Sequence, residues 1–163
     1  MKIIQENWKE KKLFYQNGFL FENGEFFSFD IVQLTLDEQF QPSNPIVVSP
    51  FSVQWEDFFI QESLVLANNK GKVVVGSGGL GADGFVAFVS NENKLIWSIF
   101  SESTNGFIQI EEQKNCILVE SGSGYNYSIP LENPLLIKRL KNKSPFNSNG
   151  ERTNYKPYPM GRF

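Results

Sequence analysis

The stretch with the most specific chemical meaning is Val73-Val74-Val75-Gly76-Ser77-Gly78-Gly79-Leu80-Gly81. Glycines at 76, 78 and 81 behind a β-branched run have the G-x-G-x-x-G spacing of a dinucleotide phosphate site. That chemistry needs a helix to start at the turn, so that its free N–H groups and dipole meet the pyrophosphate. Here the glycines lead into Asp83-Gly84-Phe85-Val86-Ala87-Phe88-Val89, a second apolar, strand-like run. Glycines between two strands make a wide turn or a bulge, which argues against nucleotide binding. There is also no G-x-x-x-x-G-K-[ST] phosphate loop to support it.

Other reactive residues are sparse. The chain has no His, which removes the commonest general base and zinc ligand and any Ser-His-Asp or Cys-His site. Its one cysteine, Cys116, lies in the strand-like Asn115-Cys116-Ile117-Leu118-Val119 and reads as a small buried hydrophobe. Glu56-Asp57 and Glu111-Glu112 are carboxylate pairs, but strand neighbours point to opposite faces, so they read as turn or surface charges rather than a glycosidase dyad. Asn91-Glu92-Asn93 is too short for a calcium loop and reads as a hairpin turn. No metal or cofactor is implied, and the expectation is a binding protein rather than an enzyme.

The elements that would position these residues read as strands almost throughout. Asn17-Gly18 between Leu13-Phe14-Tyr15 and Phe19-Leu20-Phe21 predicts a tight hairpin. Asn23-Gly24 leads into Phe26 to Leu36, which nearly alternates and predicts one long strand covered on both sides. A Pro-containing connection follows over 40–50, then Phe51-Ser52-Val53-Gln54-Trp55 alternates cleanly. Residues 56–66 allow a short helix through Phe58, Phe59, Glu62 and Leu66 but favour a strand with an irregular start, and Asn68-Asn69-Lys70-Gly71 predicts a hairpin turn. Two Gly-Phe starts, at Gly84 and Gly106, each open a hairpin, giving a meander. Tyr125 to Pro130 is a last clear strand, and Leu135 to Leu140 a strand or one helical turn. The whole predicts a single all-β or mostly β domain over 1–140, an antiparallel meander or sandwich around a core rich in the chain's 16 Phe. A basic tail carrying aromatics follows over 141–163.

Charge is divided along the chain. Residues 1–137 carry 8 Lys/Arg against 17 Asp/Glu, and residues 138–163 carry 7 against 1. An acidic body repels nucleic acid and attracts basic proteins. The first residues, Met1 to Asn7, have no long apolar region and no small-residue cleavage site, so they do not read as a signal peptide. No stretch has the length of a membrane span, and the expected compartment is the cytoplasm.

Three segments together carry a resemblance. Gly76-Ser77-Gly78-Gly79-Leu80-Gly81-Ala82-Asp83-Gly84-Phe85-Val86-Ala87, then Leu95-Ile96-Trp97-Ser98-Ile99-Phe100, then Ser103-Thr104-Asn105-Gly106-Phe107 resemble small cytosolic immunity proteins of bacterial polymorphic-toxin and contact-dependent growth inhibition systems. The resemblance covers roughly 64–134 and departs from the pattern at Asn105-Gly106-Phe107, where Asn-Pro-Phe would be favoured. It implies a non-enzymatic protein that binds one cognate toxin domain, one to one. Many such toxins are basic nucleases, which an acidic body would cover with fast, salt-sensitive association. The expected partner contacts are Asp57 and Glu62 beside Trp55, Asp83 in the glycine loop, and Glu111 and Glu112 near Tyr125. Two other readings stay open. One is a carbohydrate-binding β module using exposed Trp and Tyr, and the other a small carboxylate-dependent enzyme.

Overall fold

The computed structural model describes residues 1–49 and 54–141. One helix, α1 (Lys2–Lys9), opens the chain. The strands are β1 (Lys12–Phe14), β2 (Gly18–Phe21), β3 (Glu25–Ser28), β4 (Ile46–Val47), β5 (Trp55–Val65) and β6 (Lys72–Gly78), then β7 (Gly84–Val89), β8 (Leu95–Ser101), β9 (Phe107–Gln113), β10 (Cys116–Ser121), β11 (Asn126–Pro130) and β12 (Lys138–Leu140). Among the described residues they form an eight-stranded sheet, ordered β1-β5-β6-β7-β8-β2-β3-β4, and a four-stranded sheet, ordered β12-β11-β10-β9. Every ladder between these strands is antiparallel. The sheets curl into a half-barrel around an aromatic core.

The continuous apolar runs of the central strands follow from burial on both faces. On β6, Val73 and Val75 face the four-stranded sheet while Val74 faces α1. On β7, Val86 and Phe88 join the inter-sheet core, whereas Phe85, Ala87 and Val89 lie under the helix. The inter-sheet core is completed by Phe107, Ile110, Ile117, Val119, Tyr127 and Ile129 of the smaller sheet. On the opposite face, Ile4 and Trp8, one helical turn apart, press α1 down, and Trp8 stacks on Phe58 at 4.8 Å. The Gln5 amide then binds β8 like a strand neighbour, donating to the Leu95 carbonyl at 2.8 Å and accepting the Leu95 N–H at 2.9 Å.

Several expectations are corrected. The residues read only as an N-terminus without a signal peptide form α1. Asn17-Gly18 does not turn a hairpin, because β1 pairs with β5 while β2 pairs with β3 and β8. The Asn17 side chain accepts the Glu102 N–H at 2.7 Å, and Gly18 opens β2 at φ 149°, where a Cβ would overlap the Phe27 carbonyl oxygen. The turn is made instead at Asn23-Gly24, between β2 and β3. The long strand expected from Phe26 to Leu36 stops at Ser28. Asp30 caps a 3-10 turn over Ile31–Gln33, accepting the Val32 N–H at 3.3 Å and the Ser101 hydroxyl at 2.8 Å. Residues 135–140 are both alternatives in succession, a 3-10 turn over Pro134–Leu136 followed by β12. Cys116 is half-buried at the start of β10 rather than fully buried. The strand expected at 51–53 and the tail from 142 lie outside the described residues. No helix among the described residues is long and apolar enough to cross a membrane.

Candidate binding surface

The antiparallel order sends the turns of the large sheet to two ends. One end gathers the start of β5, the turn between β6 and β7, and the end of β8. The glycine-rich segment belongs to this end. Gly76 and Gly78 lie inside β6, and the chain leaves the turn as strand β7, not as a helix. Gly76 serves packing, since a Cβ there would overlap the Phe59 carbonyl oxygen of β5. Asp83 folds back under the turn. It is 1% exposed, and its Oδ1 accepts the Gly78 N–H at 2.8 Å. Its carbonyl accepts the Gly106 N–H at 2.9 Å, which ties the loop to the start of β9. The Asp83 Oδ2 and the nearby Thr104 Oγ1 are buried without a hydrogen-bond partner.

Tyr15, one residue past β1, stands beside Asp83. Burial raises its phenol above the ordinary tyrosine pKa, and the Asp83, Glu102 and Glu56 carboxylates raise it further. Tyr15, Asn17, Gln54 and Glu102 line a depression of ≈ 540 Å³ at this end. The strand β5 runs away from it. Its first residues pair with β1, Phe14 opposite Trp55 and Lys12 opposite Asp57. From Phe58 to Val65 it pairs with β6, with a slip in register between Ile60 and Glu62. Phe58 is buried between Trp8 and Phe85, and Trp55 is half-buried edge-on to Phe14 at 5.5 Å. Between and beyond them Glu56, Asp57 and Gln61 are exposed, and so are Phe59 (58%) and Ile60 (51%). Leu80, 77% exposed, projects from the adjoining turn, in which Gly79 lies beside the Asp57 carbonyl.

The predicted contact residues therefore separate. Trp55 and Asp57 share β5 at this end, with Asp83 buried behind the neighbouring turn. Glu62 is half-buried further along β5, where its Oε2 accepts the Ile110 N–H of β9 at 3.1 Å. Glu112 is half-buried and accepts the Ala67 N–H through both oxygens, at 3.0 and 3.3 Å. Glu111, on the opposite face of β9, is exposed. Tyr125 is half-buried under the Arg139 guanidinium, 4.3 Å from its ring centroid, and Arg139 also donates to the Leu34 carbonyl at 3.1 Å. Sequence reasoning missed Tyr15, Glu56 and Glu102 as members of the surface. No local pattern marks them, because a ladder between β1 and β5 and a side-chain bond from Asn17 bring them together.

The ion pairs among the described residues are Lys2–Glu6, Lys12–Glu10 and Lys70–Glu132; Glu56, Asp57 and Glu102 are in none of them, although Lys12 lies opposite Asp57 across the β1–β5 ladder. No group of three or more Cys, Asp or Glu converges on a common metal position among the described residues. The chain matches no protein-family model, no curated protein and no solved structure.

Proposed function

We propose that this chain is a non-catalytic binding protein, an immunity protein that neutralises a basic bacterial toxin domain in a one-to-one complex. The observation that carries the reading is one end of the large sheet, where exposed Glu56 and Glu102 flank Tyr15 and exposed Asp57, Phe59, Ile60 and Leu80 follow along β5 and the adjoining turn. Protein interfaces draw their energy from a few apolar and aromatic anchors, while uncompensated charge steers the partner and sets the rate of encounter. A basic nuclease domain is the complementary partner, because it would present to this surface the charge it otherwise presents to nucleic acid. The cytoplasm, where such a toxin acts, is the compartment that goes with this role.

The carbohydrate alternative has less support. Trp8 and Trp97 are buried and Trp55 is half-buried against Phe14, so none of the three offers an open ring to a sugar. The carboxylate-enzyme alternative has less still, since Glu111 is exposed while Glu112 turns the other way to hold Ala67.

The test is co-expression with a basic toxin domain encoded by a neighbouring gene, where one is found. Wild type should restore growth. The variant Glu56→Lys/Asp57→Lys/Glu102→Lys should not, although it remains folded. Full rescue by the triple variant would exclude this surface. Failure of the wild type to rescue would exclude immunity towards that toxin.

A further inference from the structure

The opposite end of the large sheet holds a groove of ≈ 840 Å³ between the turn after β2 and the hairpin joining β9 to β10. Its apolar lining is half-buried Phe21 of β2 and Ile96 of β8, backed by buried Leu66, Phe88, Trp97 and Leu131. Phe88 and Trp97 lie 6.0 Å apart, centroid to centroid. The floor offers carbon only, because the Trp97 indole N–H is spent on the Leu131 carbonyl at 2.9 Å. Among the described residues, the buried polar atoms without partners belong to Trp55, Asp83, Thr104 and Arg139, none of which lines the groove.

The walls of the groove are tied to one another at three points. Trp97 holds Leu131, Glu112 holds the Ala67 N–H, and Lys70 pairs with Glu132 at 3.9 Å. The rim carries no field of one sign. Lys70 is paired and Glu112 is committed, which leaves Lys114 and Glu22 with opposite charges. Gln113 and Asn115 add neutral hydrogen-bonding groups, whereas Asn23 is bonded to Glu25 and the Asn68 Oδ1 accepts the Lys70 N–H.

We propose that this groove is a binding site for a small, uncharged, largely apolar molecule, its body against half-buried Phe21 and Ile96 above the buried Phe88–Trp97 pair and a hydrogen-bonding end among the rim amides. The volume falls within the range of about 300–1,000 Å³ usual for such sites, and an apolar floor with a few polar groups at the edge is their usual chemistry. The site lies at the far end of the sheet from the proposed partner surface and does not depend on it.

Nile red, an uncharged apolar dye, is the probe. Titrated into the full chain, it should bind saturably at one site with a Kd of about 10 μM or tighter. The Trp97 indole N–H resonance should shift while those of Trp8 and Trp55 stay in place. Ala67 is exposed at the mouth, so Ala67→Trp would fill the groove from outside and should weaken binding about tenfold. Ser123→Trp, an exposed change at the other end of the small sheet, should leave binding unchanged. Dye binding without saturation, or saturation without a shift at Trp97, overturns the proposal. The wild-type resonances decide the matter even if Ala67→Trp fails to fold.

Discussion

The Glu62 carboxylate on β5 accepts the backbone N–H of Ile110 on β9, at 3.1 Å, across the line where the two sheets meet. No ladder joins β5 to β9, so a side chain supplies the acceptor that a neighbouring strand would have supplied. Glu112 does the same in the other direction for the Ala67 N–H. The seam of the half-barrel is thus closed by two carboxylates on backbone amides. Each of Glu62→Ala and Glu112→Ala should cost about 1–2 kcal/mol in denaturant unfolding, and Glu62→Gln less, since its amide oxygen still accepts. A Glu62→Ala variant as stable as wild type would show that the bond is idle.

Gly76 is a packing residue, not part of a phosphate site. Gly76→Ala should destabilise the protein by about 2–3 kcal/mol, because the new methyl must push β5 away from β6 at the Phe59 carbonyl. Thermal melting is the measurement. An unchanged melting temperature would mean that β5 does not lie against Gly76.

The Tyr127 hydroxyl donates to the Ile31 carbonyl at 3.2 Å, and burial pushes its pKa well above the ordinary value. A tyrosine raised in the folded state contributes stability below its unfolded pKa of about 10 and loses it as pH climbs from there towards the folded value. Wild-type stability should therefore fall above pH of about 10. Tyr127→Phe should be about 1 kcal/mol less stable at neutral pH but decline less steeply in alkali, so that the two curves converge. Parallel curves would remove Tyr127 from the alkaline transition.

Ending the chain after Lys141 should leave a cooperative melt. β12 closes its sheet at Lys138–Leu140, and Arg139 is already held by Leu34 and Tyr125. A melt that loses cooperativity would show that the aromatics beyond residue 141 belong to the core.

The triple reversal at Glu56, Asp57 and Glu102 should shift the melting temperature by no more than about 2–4 °C, because all three side chains are exposed and unpaired. Extending the reversal to Asp83, Glu62 and Glu112 should unfold the protein, since each holds a backbone N–H. Calorimetry of the two sets separates the surface charges from the structural ones.

These outcomes mark where the sequence is legible. Doubly buried strands are visible as apolar runs, so β6, β7 and β8 can be read directly, while β9 and β10, each with one buried face, are marked by the turn residues between them. Asn17-Gly18 misleads because its turn chemistry is spent at long range, on Glu102 and on a close pass by Phe27. Asp30 hides a strand end, since its capping partners Val32 and Ser101 are set by the fold. α1 is too short for its two buried residues, Ile4 and Trp8, to announce a period. The acidic character of the candidate surface is plain in the composition. Which acids face solvent and which hold amides is decided by pairings 45 and 48 residues apart in the chain.

The position of β2 in the large sheet has a consequence for how the chain is made. β2 lies between β3 and β8, and its partner residues on β8, Trp97 to Phe100, follow it by nearly eighty positions. The hairpin of β2 and β3 leaves the ribosome early, yet one edge has no neighbour until β8 has been synthesised. Such a hairpin is marginal in water by itself. The first third of the protein must therefore wait, largely unfolded, for the middle of the chain to emerge. Long-range pairing of this kind makes folding slow and leaves strand edges open to other chains meanwhile. Refolding yield should fall as protein concentration rises, and the amide protons of β2 should gain protection only together with those of β8.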